Sequence, residues 1–384
     1  MKILHTSDWH LGHQLYGHER YLEHESMLRR ICEIVEEEKP DLFLLCGDVF
    51  HTSQPSARAN KMFVDAMAKI HRASQDMVMV VTAGNHDSGS RHEVFRELWR
   101  NFGVHTPGLL HEEDFEQHII EVPGKGFVVA MPYVHHRVLP EGFFQQLLDE
   151  VKKRNNLSLP VVMTAHTTIR NSIFSGHDDA TEYSVGGIDS IDISDMGEGY
   201  DYLALGHIHR RQFPDSRNKR VRYSGTPMAV NFDEENIHTL TIVEIETHDA
   251  MPEIREIEIE NPRPLITLPP EGTVDWDTAR HLLKEFPDDM EAYIRLNVEV
   301  KDFLPPGAYE EACEITKNKK CFFCLINAQR KRTHEAGVIK SFSVKEFREE
   351  QPEDIFKRYV ADKGFEPDEE LIAMFRETLD SLSK

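Results

Sequence analysis

Residues 1–12 read MKILHTSDWHLG, and two later stretches follow the same pattern: LFLLCGDVFH at 42–51 and MVMVVTAGNHD at 77–87. Each is a short apolar run, rich in β-branched residues, that stops at a polar cluster. A strand buried on both faces reads this way. Similar runs recur at Phe127–Met131, Val161–Met163 and Tyr202–Leu205, with later alternating strands at Tyr223–Ser224 and Thr239–Ile245. Between the first three runs the spacing turns helical. Leu28, Ile31, Cys32 and Val35 share one stripe within 21–38, and Met62, Phe63, Ala66 and Ile70 share another within 56–72. A helix over Arg91–Asn101 follows. Strand–helix–strand alternation predicts an α/β sandwich with a largely parallel sheet.

The pattern changes at Asn261-Pro262-Arg263-Pro264, a proline-marked linker. From 265 to about 340 the order is strand (Leu265–Leu268), helix (Trp276–Phe286), strand (Tyr293–Val300), helix (Tyr309–Thr316), strand (Phe322–Ala328), a small α+β domain. Two amphipathic helices close the chain. One starts at Pro352, stops at Gly364 and aligns Ile355, Phe356, Tyr359 and Val360; the other starts near Pro367 and aligns Leu371, Ile372, Phe375 and Leu379. The expected domains are therefore 1–262, 263–340 and 341–384.

The chain has 384 residues, 40% hydrophobic and 29% charged, a composition of globular proteins. No apolar stretch approaches the roughly 20 residues needed to span a bilayer. Met1-Lys2-Ile3-Leu4 runs straight into a strand without a basic-then-apolar leader, which predicts an intracellular, cytoplasmic protein. Five scattered cysteines fit a reducing compartment, and Cys321 and Cys324, without further ligands nearby, read as small strand residues rather than a zinc site. A net charge of −23 argues against nucleic acid on average, but local potential decides contact. Residues 209–222 (HRRQFPDSRNKRVR) carry Arg210, Arg211, Arg217, Lys219, Arg220 and Arg222 against Asp215. Residues 317–332 form a second basic stretch. The first begins inside a candidate metal motif and is the better candidate for phosphate contacts.

Five short motifs stand where strands end: Asp8-Trp9-His10, Gly47-Asp48, Gly84-Asn85-His86-Asp87, an isolated His166, and Gly206-His207-Ile208-His209. In open α/β sheets, sites gather at the carboxyl ends of strands. On an extended chain residues two apart face the same side, so Asp8 with His10, and His207 with His209, can each serve one cluster. Oxygen and imidazole donors without thiolate suit Mn²⁺, Fe²⁺ or Zn²⁺. Asp8, His10, Asp48, Asn85, His166, His207 and His209 are too many for one ion and right for two. A metal pair can clamp the attacking and leaving oxygens of an in-line displacement.

At these residues the chain resembles the calcineurin-like metallophosphoesterases, whose pattern reads D-x-H, G-D, G-N-H-D/E, H, G-H-x-H. The resemblance implies a four-layer β-sandwich flanked by helices. It assigns Asp8, His10, Asp48 and His209 to one ion, and Asp48, Asn85, His166 and His207 to the other, with Asp48 bridging. His86 would be the proton donor beside the leaving oxygen, a task suited to an imidazole near neutral pH.

Within that superfamily, protein phosphatases carry Arg soon after GD and read GNHE, and purple acid phosphatases need Tyr three residues after the Asp. This chain has His51 there and reads GNHD. With HTSDWHLG, that resembles the double-strand-break repair nucleases, in which a second histidine lies beside the catalytic one; His51 is accordingly a candidate to orient His86. The same resemblance implies Mn²⁺, a DNA substrate, a capping domain over 263–340, a homodimer within a heterotetramer, and an SMC-like ATPase partner docked on the two C-terminal helices. No G-x-x-x-x-G-K-[ST] occurs, so ATP hydrolysis must come from another chain. A small-molecule phosphodiesterase or phosphatase is the alternative, though it has no evident use for the second domain and tail.

Overall fold

The computed structural model describes residues 1–135, 138–173, 190–234 and 236–330, together with Phe356, Ile372, Met374 and Phe375. The chain divides into two compact units, Met1–Arg330 and Lys331–Lys384. Most of the two expected C-terminal helices lies outside the described residues. The four described tail residues are helical, and the rings of Phe356 and Phe375 stack with centroids 4.1 Å apart.

The buried runs form two facing sheets. The first takes β1 (Lys2–Thr6), β4 (Leu42–Cys46), β5 (Val78–Thr82) and β6 (Val104–His105) as parallel neighbours; β14 (Thr239–Glu244) and then β15 (Glu253–Glu258) add antiparallel beyond β1. The second runs β13 (Val221–Tyr223), β12 (Tyr202–Gly206), β9 (Val161–His166), β8 (Gly126–Ala130) and β7 (Ile119–Val122), parallel except for the β7–β8 pair. A short hairpin pairs β2 (Gln14–Leu15) with β3 (His18–Glu19), and β10 (Thr168–Ile169) pairs with β11 (Ser190–Ile191).

Alternation along the strands makes three apolar layers from these two sheets. Ile3, Leu44, Val80, Val128, Val162 and Ala204 meet between the sheets. Leu4, Phe43, Leu45 and Val81 point the other way, onto α1 (Tyr21–Glu38) and α2 (Ala57–Ala73). Val129, Met163, Leu203 and Leu205 pack on α5 (Phe143–Arg154). The result is the four-layer arrangement of helices, sheet, sheet and helix. The single helix expected over Arg91–Asn101 is instead two short ones, α3 (Gly89–Glu93) and α4 (Arg96–Arg100). Neither has a side-chain N-cap bond to extend it.

Residues 265–330 enclose a core of their own, including Leu283, Ile294, Leu296, Val298 and Phe323. The strands β16 (Leu265–Leu268), β17 (Tyr293–Val300) and β18 (Phe322–Arg330) pair in parallel, linked through helices Trp276–Glu285 and Ala308–Thr316. Asp275 caps the first helix by accepting from the Thr278 amide at 2.9 Å. The α+β description expected from sequence is refined here: every strand pair is parallel, because each connection is a helical crossover. No helix among the described residues is long and apolar enough to cross a membrane.

Candidate metal centre

Every candidate ligand sits at or just past the carboxyl end of a central strand. Asp8 and His10 follow β1, Asp48 follows β4, and Asn85 and His86 follow β5; His166 ends β9, and His207 and His209 follow β12. The first sheet thus supplies three loops and the second sheet two. Asp8, His10, Asp48 and His207 have φ values of 55°, 45°, 50° and 93°, in the left-handed region that side chains rarely adopt. The rule that residues two apart face one side of an extended chain is therefore not what unites Asp8 and His10. Sharp turns past the strand end do it, and such strained backbone clusters at functional sites.

Two glycines permit the close approach. A Cβ on Gly84 would lie 2.0 Å from Asp48 Oδ1, and one on Gly47, at φ 83°, would lie 2.1 Å from His166 Nδ1. Asp87 ties the loops together. Its Oδ2 accepts from the amides of Val49 (3.0 Å) and Gly84 (2.9 Å), and its Oδ1 from Phe50 (3.0 Å).

The side chains converge in two groups that share carboxylates. Donor atoms of Asp8, His10 and His209 lie within 4.8 Å of one another, as do those of Asp8, Asp48 and His166. His10 Nε2 is 3.0 Å from His209 Nε2 and 3.8 Å from Asp48 Oδ2, while His166 Nε2 is 3.3 Å from Asp48 Oδ2. Asn85 Oδ1 lies 2.9 Å from His166 Nε2 and 3.1 Å from His207 Nδ1.

Hydrogen bonds behind the rings decide which nitrogen faces inward. His166 Nδ1 donates to the Cys46 carbonyl at 2.9 Å, so its Nε2 presents a lone pair toward the Asp48 carboxylate. His209 Nδ1 meets Glu234 Oε1 at 2.8 Å, turning its Nε2 likewise inward. Electron pairs facing electron pairs in a buried site require a cation, and divalent metal ions suit this oxygen–imidazole set. Protons can fill the same role. Burial lifts the Asp8 carboxyl above its ordinary pKa. Burial would lift Asp48 too, but His166, His10 and His86 around it hold it well below. Burial disfavours protonated His166, yet Asp48 and Asp8 push it up to about 9; burial is likewise overcome at His209, chiefly by Glu234, again to about 9. His10 is driven well below 6.5 by burial and is neutral. Protons and a divalent cation compete for the same electron pairs, and the family implies that the cation is resident.

Beside this centre stands a histidine cluster. His86 Nδ1 donates to the backbone carbonyl of His51 at 2.9 Å, and the two rings stack at 5.6 Å with 24° between planes. His86 lies 5.0 Å from the His10 ring, and His13 packs 4.6 Å from His51. The sequence reading missed Glu234 and His13, and named Asp87 within its motif without giving it a role. A carboxylate or histidine near a strand-end loop was the available signal, but the contacts only exist once distant loops meet.

The basic run behaves differently. Arg211 bonds Glu256 at 3.0 Å, Arg217 bonds Asp215, and Arg220 bonds Asp201 and the Asp249 carbonyl. Lys219 lies over the Phe213 ring at 4.2 Å. Arg210 immediately follows the candidate ligand His209. Arg211, Arg217 and Arg220 are thus engaged with carboxylates of the protein itself. Cys321 precedes β18 and Cys324 lies within it, where burial raises the thiol to about 12.

Residues 1–211 match the family model described as calcineurin-like phosphoesterase, and the chain belongs to that family. Its similarity to curated proteins is more specific. It is 32% identical over 300 residues to the SbcD component of the SbcCD nuclease of Rhodobacter capsulatus, covering 71% of this chain and 73% of that one. It is 27% identical over 404 residues to the Bacillus subtilis protein of the same name, covering 98% and 97%. With the Escherichia coli K12 counterpart the figures are 28% over 261 residues, covering 61% and 62%. Within the phosphoesterase family its kinship is thus with the SbcD proteins.

Proposed function

We propose that the chain is a Mn²⁺-dependent DNA nuclease, the catalytic subunit of an ATP-dependent repair and recombination complex of the SbcCD type. The observation that carries it is the pairing of a dinuclear donor set with the His86–His51 couple beside it. The name of a relative that spans nearly the whole chain supports the nuclease reading. Asp48 would be shared between two ions, with Asp8, His10 and His209 holding one and Asn85, His166 and His207 the other. Bound ions of this kind polarise a phosphoryl group and acidify the attacking water. The protein's own part is to orient the donors, which Glu234 and the Cys46 carbonyl do from behind by holding the Nδ1 of His209 and of His166 and so leaving each Nε2 to face inward. His86, with Nδ1 held by the His51 carbonyl, delivers a proton from Nε2 to the departing 3′ oxygen.

The expected activities are 3′→5′ exonuclease on duplex ends and endonuclease on single strands and hairpins. Residues 1–262 form the nuclease domain, 263–340 cap the DNA, and 341–384 dock on the SMC-like ATPase SbcC, within a heterotetramer built on a nuclease homodimer in the cytoplasm. Arg210, next to a metal donor, and Lys219 are retained as phosphate contacts. The test is purified protein with Mn²⁺ on end-labelled hairpin DNA, beside His86→Ala. Cleavage lost in the variant supports the reading. Intact DNA together with rapid cleavage of small phosphoesters overturns it in favour of a small-molecule phosphodiesterase.

A further inference from the structure

The strand β17 reaches from the small parallel sheet into the segment that orients His209. Tyr293 and Arg295, two apart on this strand, face the same side, and both meet the larger domain. Arg295, 8% exposed, bonds Asp233 and the Phe232 carbonyl, and its guanidinium lies 5.3 Å from the Phe232 ring. Its Nε is steadied by Thr267 Oγ1 of β16 at 3.1 Å. Glu234 follows directly, its amide closing a turn onto the Asn231 carbonyl at 3.2 Å, and its Oε1 holds His209. One turn of chain therefore separates a clamp from β17 and the carboxylate that aims a metal donor.

A second path runs beside the first. Tyr293 donates its hydroxyl to Glu23 Oε1 at 2.5 Å, and Arg263 donates to the same oxygen at 3.2 Å. Arg20, 1% exposed, sits with its guanidinium 5.5 Å from the Tyr293 ring and donates to the Ala229 carbonyl at 2.5 Å. Among the described residues Arg20 Nε and Nη2, Glu23 Oε2 and Glu234 Oε2 have no hydrogen-bond partner. A buried cation thus stands within Coulomb reach of two half-used carboxylates, one facing the small sheet and one facing His209.

We propose that Arg295 is a positioning residue for the metal centre: by clamping Asp233 and Phe232 it fixes the turn that carries Glu234, so that β17 sets the aim of His209. Arg20 adds a Coulombic attraction to the same carboxylate. A metal-bound imidazole held by an outer carboxylate loses affinity when that partner is disturbed, by about 10–100-fold. The position of the small domain is therefore felt at one of the two ions. The inference rests on the metal-centre reading above.

The test is direct Mn²⁺ binding to the full chain, followed by the electron paramagnetic resonance of free and bound Mn²⁺, with no substrate present. Arg295→Met should weaken one of two bound ions by about 10-fold, and Arg295→Lys should restore much of it. In a Glu234→Gln background Arg295→Met should add little, since both act on one imidazole. Asp233→Asn, a change at an exposed residue that leaves the core intact, should reproduce the Arg295→Met loss. Unchanged affinity in Arg295→Met and Asp233→Asn, or an equal loss with and without Glu234, overturns the proposal. Wild-type protein that binds no Mn²⁺ would overturn the metal-centre reading itself.

Discussion

His86 Nδ1 is bound to the main-chain carbonyl of His51, not to its side chain. Removing the His51 ring therefore leaves the His86 tether in place and takes away only the stacked neighbour. In cleavage assays with Mn²⁺, His86→Ala should lose about 10²–10⁴-fold in kcat. His51→Ala should lose distinctly less, with His86 still oriented. Equal losses in the two variants would show that the His51 imidazole, rather than its backbone, does the work.

Asp87 should matter to folding as much as to catalysis. Three amides from two loops converge on its carboxylate. Asp87→Ala would leave them buried and unpaired, at a cost of roughly 2–4 kcal/mol. Urea unfolding of metal-free protein is the measurement. A metal-free stability equal to wild type would reduce Asp87 to an ordinary surface acid.

Gly84→Ala places a methyl group where Asp48 Oδ1 now lies. The Asp48 carboxylate has to move, so if it bridges the ions as proposed both should be lost together while secondary structure by circular dichroism stays near wild type. Retention of two bound Mn²⁺ ions per chain would contradict the close approach.

Acid should weaken the sandwich through His5. The ring bridges the sheets, with Nδ1 2.9 Å from the Tyr202 hydroxyl and Nε2 3.2 Å from the Leu205 carbonyl. Burial, helped by the charge of Arg222, drops its pKa from 6.5 to about 3. Because the folded value is the lower one, the unfolded chain takes up the proton first. His5 thus contributes stability that is whole above pH 6.5 and drains away as pH falls toward 3, about 2 kcal/mol being lost by pH 5. Denaturant midpoints of wild type and His5→Asn, followed from pH 7 to 5, should converge. Parallel curves would show that His5 titrates normally in the fold.

The convergence of the candidate metal donors was legible in sequence because strand ends announce themselves: an apolar run, a glycine, then Asp, Asn or His. The helices α1 and α2 were legible from their stripes, and β16 to β18 from their alternation with helices. Other elements hid. β15, EIREIE, is an edge strand with its residues largely open to solvent, so no buried run marks it. The break between α3 and α4 leaves Val94 and Phe95 exposed, against what their apolar character predicts. Glu234 lies 25 residues from His209, and Arg211 and Arg220 pair with Glu256 and Asp201. Such partners are set by the meeting of loops, which no local spacing records. The basic run looked like one patch because charge was counted along the chain instead of across it.

The candidate donors divide between the sheets: Asp8, His10, Asp48 and Asn85 come from one, His166, His207 and His209 from the other. A nascent chain emerging from the ribosome can complete β1, β4 and β5 and still own only half a catalyst. Competence arrives after residue 209, when both halves have closed on each other. If the chain cuts DNA as proposed, a truncated or half-folded copy is harmless to the chromosome. The same division makes the ions a rivet between the halves, so a chelator should loosen the whole sandwich and not merely silence it.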